Sequence, residues 1–192
     1  MSIPANAKPG DFLVISFDGK HPDVSHPLHW LVNGGFVHIG QRVADTEFGT
    51  EEYPYDNFEH AAIYVGKGMI IEAQRTGTNT AMAAKYDADY VVWSSGLINP
   101  TDAQRLAIVK AAFGYIGTPY SWVDYAALLA KTAHMLPAAP LLKRYVASTG
   151  HMICSQVVDR CYEDGGYTLF DDKRWHGYVK PSDLAKLLLS KV

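Results

Sequence analysis

The sequence predicts an α+β fold. Short apolar runs separated by turn residues fill the region up to Ser94, and helical spacing with capping signals takes over from Pro100. Two local signatures anchor that division: a glycine-turned hairpin over His60–Gln74, and a capping box at Thr101–Gln104. In chain order, Phe12–Ser16 is an apolar run entered from the turn Lys8-Pro9-Gly10-Asp11 and reads as a strand. Periodicity is then lost from Asp18 to Glu59, where prolines, glycines, acidic residues and histidines surround one short helical stretch near Leu28–Val37. A segment that long and that irregular suits a functional covering loop better than a connector. His60–Val65 and Met69–Gln74 flank Gly66-Lys67-Gly68 as the two arms of the hairpin, and weaker strands follow around Thr80–Lys85 and Tyr90–Ser94.

Thr101 is the expected N-cap of the first long helix, which Leu106, Val109, Lys110 and Phe113 carry toward Gly114 or Gly117. Ser121–Leu136 is a second helical stretch ended by Pro137, and Leu141–Ala147 a short third. Ser155–Glu163 is closed by Gly165-Gly166, and a last helix follows Pro181-Ser182-Asp183. There is no internal repeat and no low-complexity segment.

A chain of 192 residues with 48% hydrophobic and 19% charged residues is expected to form one domain over residues 1–192. Its net charge of −3 argues against broad binding to nucleic acid or to an anionic membrane. The N-terminus lacks a basic region and a long apolar run, and no apolar stretch approaches the roughly 20 residues of a transmembrane helix. A cytoplasmic location is therefore expected.

Both cysteines fall in HMICSQVVDRCYEDGG, His151–Gly166. In a helix, Cys154 and Cys161 stand roughly 10 Å apart along the axis, beyond disulfide reach. Two turns apart they also make a poor zinc pair, and a reducing compartment fits. Cys154, Val157, Val158 and Cys161 follow core-facing spacing, so burial of both thiols is the plain reading. Their positions nevertheless differ. Cys161 lies in the last turn, at the negative end of the helix dipole, whereas Cys154 lies at the first, where free N–H groups favour a thiolate. If either cysteine is reactive, it is Cys154.

Such a nucleophile needs a base, usually a histidine fixed by a third polar group. His60 opens the hairpin, and pairing across its turn brings Glu72 to about Ala62, diagonal to His60; in the right register both side chains project from the same face. Glu72 is also a lone acid in the apolar strand MIIEA, where an unpartnered charge is costly. A structural histidine and an edge-strand glutamate facing water remain the alternatives at this level. His21, His26, His29 and His38 form a tempting cluster, but their spacing matches no metal motif; neither a metal nor another cofactor is expected. One of these histidines could contact substrate from the covering loop.

Three segments carry a family resemblance. HAAIYVGKGMIIEA resembles the histidine hairpin of the NlpC-type cell-wall peptidases, in which the third polar residue follows the histidine by twelve positions; here the pair is His60 and Glu72. CSQVV is similar to that superfamily's Cys-Ser-x-x-Val, and IGTPYSW (Ile116–Trp122) to its Gly-x-Pro-Tyr-x-Trp. The order histidine, glutamate, cysteine departs from the usual members and is similar to the circularly permuted branch, the YiiX-like and lecithin–retinol-acyltransferase-like proteins. Gly10-Asp11 before the first strand fits that branch too.

The resemblance implies a permuted papain-like fold, with an antiparallel sheet packed against a helical layer that contains the cysteine helix. It implies that Cys154 is the nucleophile, His60 the base, Glu72 the orienting residue and Cys161 core. Tyr120 would lie near the nucleophile and touch oxyanion or substrate; an aromatic packing between helices is its alternative. The substrate implied is a small amide or peptide, with bacterial cell-wall stem peptides foremost, reached in solution or by delivery such as a phage particle. Two rivals are a lipid thioesterase or acyltransferase and a binding module with a decayed site.

Overall fold

The computed structural model describes residues 3–16, 58–120, 152–172, 174 and 179–191. The helices expected over Ser121–Leu136 and Leu141–Ala147 lie outside them, as do the covering loop up to Asn57 and His21, His26, His29 and His38. The described residues form a mixed α+β structure. Its five strands are β1 (Phe12–Ser16), β2 (Phe58–Gly66), β3 (Met69–Gln74), β4 (Gly77–Met82) and β5 (Tyr90–Trp93). Its helices are α1 (Asp102–Gly114), α2 (Cys154–Asp164) and α3 (Pro181–Leu189). No helix among the described residues is long and apolar enough to cross a membrane.

The sheet is antiparallel throughout, in the order β4-β3-β2-β1-β5. Helix α2 packs on β2 and β3, α3 lies across β1, β2 and β5, and α1 packs on α2 and β2. Every residue of β1 is buried because both sheet faces are covered, which is why FLVIS reads as a continuous apolar run. On the helix side, Phe12, Val14, Ala61, Ile63, Ile71 and Ala73 meet Val157, Val158 and Cys161 of α2 and Leu184 and Leu188 of α3. On the opposite face, Leu13, Ile15, Ala62, Tyr64 and Ile70 pack with Ala83, Tyr86, Val91 and Trp93.

Local chemistry fixes the ends of these elements. The β2–β3 turn runs through three residues of positive φ, Gly66 (99°), Lys67 (52°) and Gly68 (78°), so glycine on either side of Lys67 removes most of the steric cost. At α1 the capping box is complete: Gln104 N–H donates to Thr101 Oγ1 at 3.3 Å, and Thr101 N–H to Gln104 Oε1 at 2.9 Å. The same Gln104 side chain donates to Gly166 O at 2.6 Å, tying the start of α1 to the loop after α2.

Three boundaries differ from the sequence expectation. Strand β2 begins at Phe58, so Phe58 and Glu59 belong to the sheet and not to the covering loop. Helix α2 begins at Cys154 and not at Ser155. The strand expected around Thr80–Lys85 is β4, Gly77–Met82, because Gln74 pairs with Gly77 across the tight Arg75-Thr76 turn. The chain then leaves the sheet in a 3₁₀ turn, Ala83–Tyr86. As an outer strand with two buried residues followed by alternating partly buried and exposed ones, GTNTAM carries little hydrophobic signal to mark its limits.

Candidate active site

His60 stands at a local irregularity of the sheet. Ile15 of β1 pairs with His60 and Ser16 with Phe58, so one extra residue bulges into β2 directly before the histidine. The bulge breaks the alternation: Phe58 joins Ala61 and Ile63 in the helix-side core. Bulges of this kind re-aim side chains and are common beside functional groups. On the other arm, Ile63 pairs with Ile71, so the register sets Glu72 opposite Ala62 and on the same face as His60. The hairpin thus brings the two together as its sequence implied, with His60 Nε2 at 2.7 Å from Glu72 Oε2.

Glu72 is buried, at 1% exposure, yet fully partnered. Tyr86 Oη donates to Oε2 at 2.6 Å, Gln74 Nε2 donates to Oε1 at 3.0 Å, and the Lys85 ammonium also sits on Oε1. The edge-strand alternative, a glutamate facing water, is therefore not what the structure holds. Tyr86 also stacks obliquely on His60, with ring centroids 5.7 Å apart. Gln74, Lys85 and Tyr86 escape sequence reading. Their only trace is the requirement that a buried acid find donors, and the 3₁₀ turn that delivers two of them has no pattern of its own.

Cys154 arrives from the other layer. It is the first residue of α2, and its sulfur lies within hydrogen-bonding reach of the His60 ring. The ring nitrogen on Glu72 is Nε2. The start of α2 is held from three sides. Ser155 Oγ donates to Val179 O at 2.6 Å, Ile153 N–H donates to Gln156 Oε1 at 3.0 Å, and Met152 N–H donates to Pro119 O at 3.2 Å. The segment around Pro119 is itself laced to β4 by Gly117 N–H to Thr78 O and Thr78 N–H to Thr118 O, both 2.8 Å. Tyr120 forms a parallel bridge with Met152 and packs, partly buried, against the helix-side core. The Gly-x-Pro-Tyr segment is thus a strap that fixes the approach of Cys154 to the sheet, and Tyr120 lies two residues across from the thiol-bearing turn.

The electrostatics follow the geometry. Burial alone would lower the His60 pKa, but the Cys154 sulfur and the Glu72 carboxylate outweigh it and raise the imidazole from 6.5 to about 9. Burial alone would raise Glu72; the His60 ring, with Lys85 and Tyr86, outweighs it and lowers the acid from 4.5 to about 2. Burial beside Glu72 pushes the Tyr86 phenol well above its usual range, so it stays a donor.

No family model and no curated protein matches this chain. The candidate site therefore rests on its own geometry.

That geometry separates the two cysteines. Cys161 is fully buried, and burial, with Asp164 nearby, pushes its thiol far up; Cys154 keeps 5% exposure and has the His60 imidazole beside it. Iodoacetamide at neutral pH is expected to alkylate Cys154 much faster than Cys161. Peptide mapping by mass spectrometry reads the order of labelling, and equal rates or Cys161 first would remove Cys154 from the role of nucleophile.

Proposed function

We propose that the protein is a cysteine hydrolase, a peptidase or amidase of permuted papain-like fold, acting on small amide or peptide substrates. The observation that carries this reading is the buried row Glu72–His60–Cys154, with its sulfur end at a helix N-terminus. Each member supplies a different part of acyl transfer. The Cys154 sulfur attacks the substrate carbonyl carbon, and its proton resides on His60 Nδ1. The N–H groups in the first turn of α2 have no partner within the helix, so that of Cys154 can receive the oxyanion as the tetrahedral intermediate forms. His60 then passes its proton to the leaving nitrogen as the C–N bond breaks, giving a thioester and a free amine. Water, deprotonated by His60, attacks the thioester carbonyl, and the acid departs as the thiol is restored. Throughout, Glu72 holds the ring with Nε2–H directed at itself and stabilises the imidazolium.

Cell-wall stem peptides, the substrates suggested by the sequence resemblance, are the first to try. The purified protein is incubated in parallel with a panel of stem peptides and with long-chain acyl esters or phospholipids. Release of free amine from the peptides, abolished in Cys154→Ala, is expected. Cys154-dependent cleavage of the lipids alone would replace this reading with a thioesterase or acyltransferase, and inertness of wild type toward both panels would remove stem peptides as the substrate class.

A further inference from the structure

We infer that Lys85 is a positioning residue of this site, whose ammonium on Glu72 Oε1 balances the charge of the buried row formed by Cys154, His60 and Glu72. The inference rests on the cysteine-hydrolase reading and extends it to a residue outside the triad. In its reactive form the row carries a thiolate, an imidazolium and a carboxylate, which leaves one net negative charge in a buried place. Such a charge is costly, and the usual relief is uptake of a proton. Here that proton would go to the sulfur and disarm it.

Among the described residues, the groups that reach the Glu72 carboxylate are few. His60 comes from β2, Gln74 from β3, and Lys85 and Tyr86 from the 3₁₀ turn, with Cys154 of α2 beyond the imidazole. Gln74 and the Tyr86 phenol donate hydrogen bonds without charge. Among the described residues, Lys85 is thus the cation that brings the row to neutrality. It is also built into place. The 3₁₀ turn is fastened to the hairpin by Ala83 N–H donating to Gly68 O at 2.8 Å, and Lys85 Nζ lies 4.7 Å from the centre of the Tyr86 ring. Its side chain is about one-third exposed, so replacing it removes a charge without opening the core.

The test uses the full-length protein and measures the second-order rate of Cys154 alkylation by iodoacetamide, so that no substrate need be known. At about pH 6, where an ordinary thiol is protonated, Lys85→Met is expected to react about tenfold more slowly than wild type. At about pH 9, where thiolate forms without help, the two should agree within about twofold. Lys85→Arg should restore the wild-type rate at the lower pH. Equal rates of Lys85→Met and wild type at the lower pH would overturn the role of Lys85 and leave the triad standing. An equal loss at both pH values, not rescued by arginine, would also overturn it, because that is the signature of altered packing. Wild-type Cys154 that reacts at the lower pH no faster than a small model thiol would overturn the cysteine-hydrolase reading itself.

Discussion

Glu72→Gln is expected to leave a folded protein that turns over its substrate about 10⁴-fold more slowly than wild type, the loss that follows when a triad histidine is held in the wrong tautomer. The reason lies in the four donors around the carboxylate. His60 and Tyr86 share one oxygen, and Lys85 and Gln74 share the other. Glutamine offers one oxygen and one NH₂ group, so one pair must meet a donor. An ammonium cannot accept a hydrogen bond, whereas an imidazole nitrogen and a hydroxyl can. The amide oxygen therefore goes to Lys85 and its NH₂ to His60 and Tyr86. His60 Nε2 becomes an acceptor, the ring proton moves to Nδ1, and the face toward Cys154 can no longer take a proton.

The pH dependence of stability should change as well. Glu72 titrates near 2 in the fold against 4.5 outside it, so its contribution is present above pH 4.5 and lost as pH falls through about 2. His60 titrates near 9 against 6.5, so its contribution is complete below pH 6.5 and lost as pH rises through about 9. Melting temperature in the wild type should accordingly be highest between these limits and decline on both sides. In Glu72→Gln the acid decline flattens, and the alkaline one weakens in step with the lost support of His60. Turnover near the wild-type rate would show that another group orients His60.

Most of the framework was legible in the sequence because its signals are local. β1, the hairpin arms and the Thr101 cap depend on residues within a few positions of one another, and the structure places them as expected except that β2 begins at Phe58. The juxtaposition of His60 and Glu72 was legible for the same reason, since a short glycine turn fixes register. What the sequence concealed depends on tertiary contact. The bulge before His60 is visible only against β1, and the donors Lys85 and Tyr86 reach Glu72 only because the chain leaves β4 in a 3₁₀ turn. The Gly10-Asp11 pair was legible as a motif but not as a device. In the structure Gly10 has φ 89°, and a Cβ there would stand 3.2 Å from the Arg105 backbone, while Tyr162 Oη donates to its carbonyl at 2.7 Å.

Arg105→Met is expected to destabilise the protein by about 3–5 kcal/mol, the usual cost of removing one partner from a buried ion pair. Asp11 is fully buried at the entrance to β1, and Arg105 Nη1 of α1 lies 2.6 Å from its Oδ1. After the substitution its remaining side-chain partners among the described residues are neutral, Lys8 N–H and Ser95 Oγ, both at 2.8 Å. They satisfy lone pairs without balancing the charge. For a chain of this length the melting temperature should fall by about 6–20 °C. Asp11→Asn/Arg105→Met should recover much of the loss, because asparagine can still accept from Lys8 N–H and no buried charge remains. The pair fastens α1 to the start of β1, whereas His60 pairs with Ile15 near the far end of that strand, roughly 13 Å away at 3.3 Å per residue. Cys154 alkylation in the folded variant should therefore keep its wild-type rate. A loss under about 1 kcal/mol would mean that solvent reaches Asp11 and neutralises it without Arg105, and a loss not relieved by the double substitution would mean that Arg105 acts through packing and not through charge.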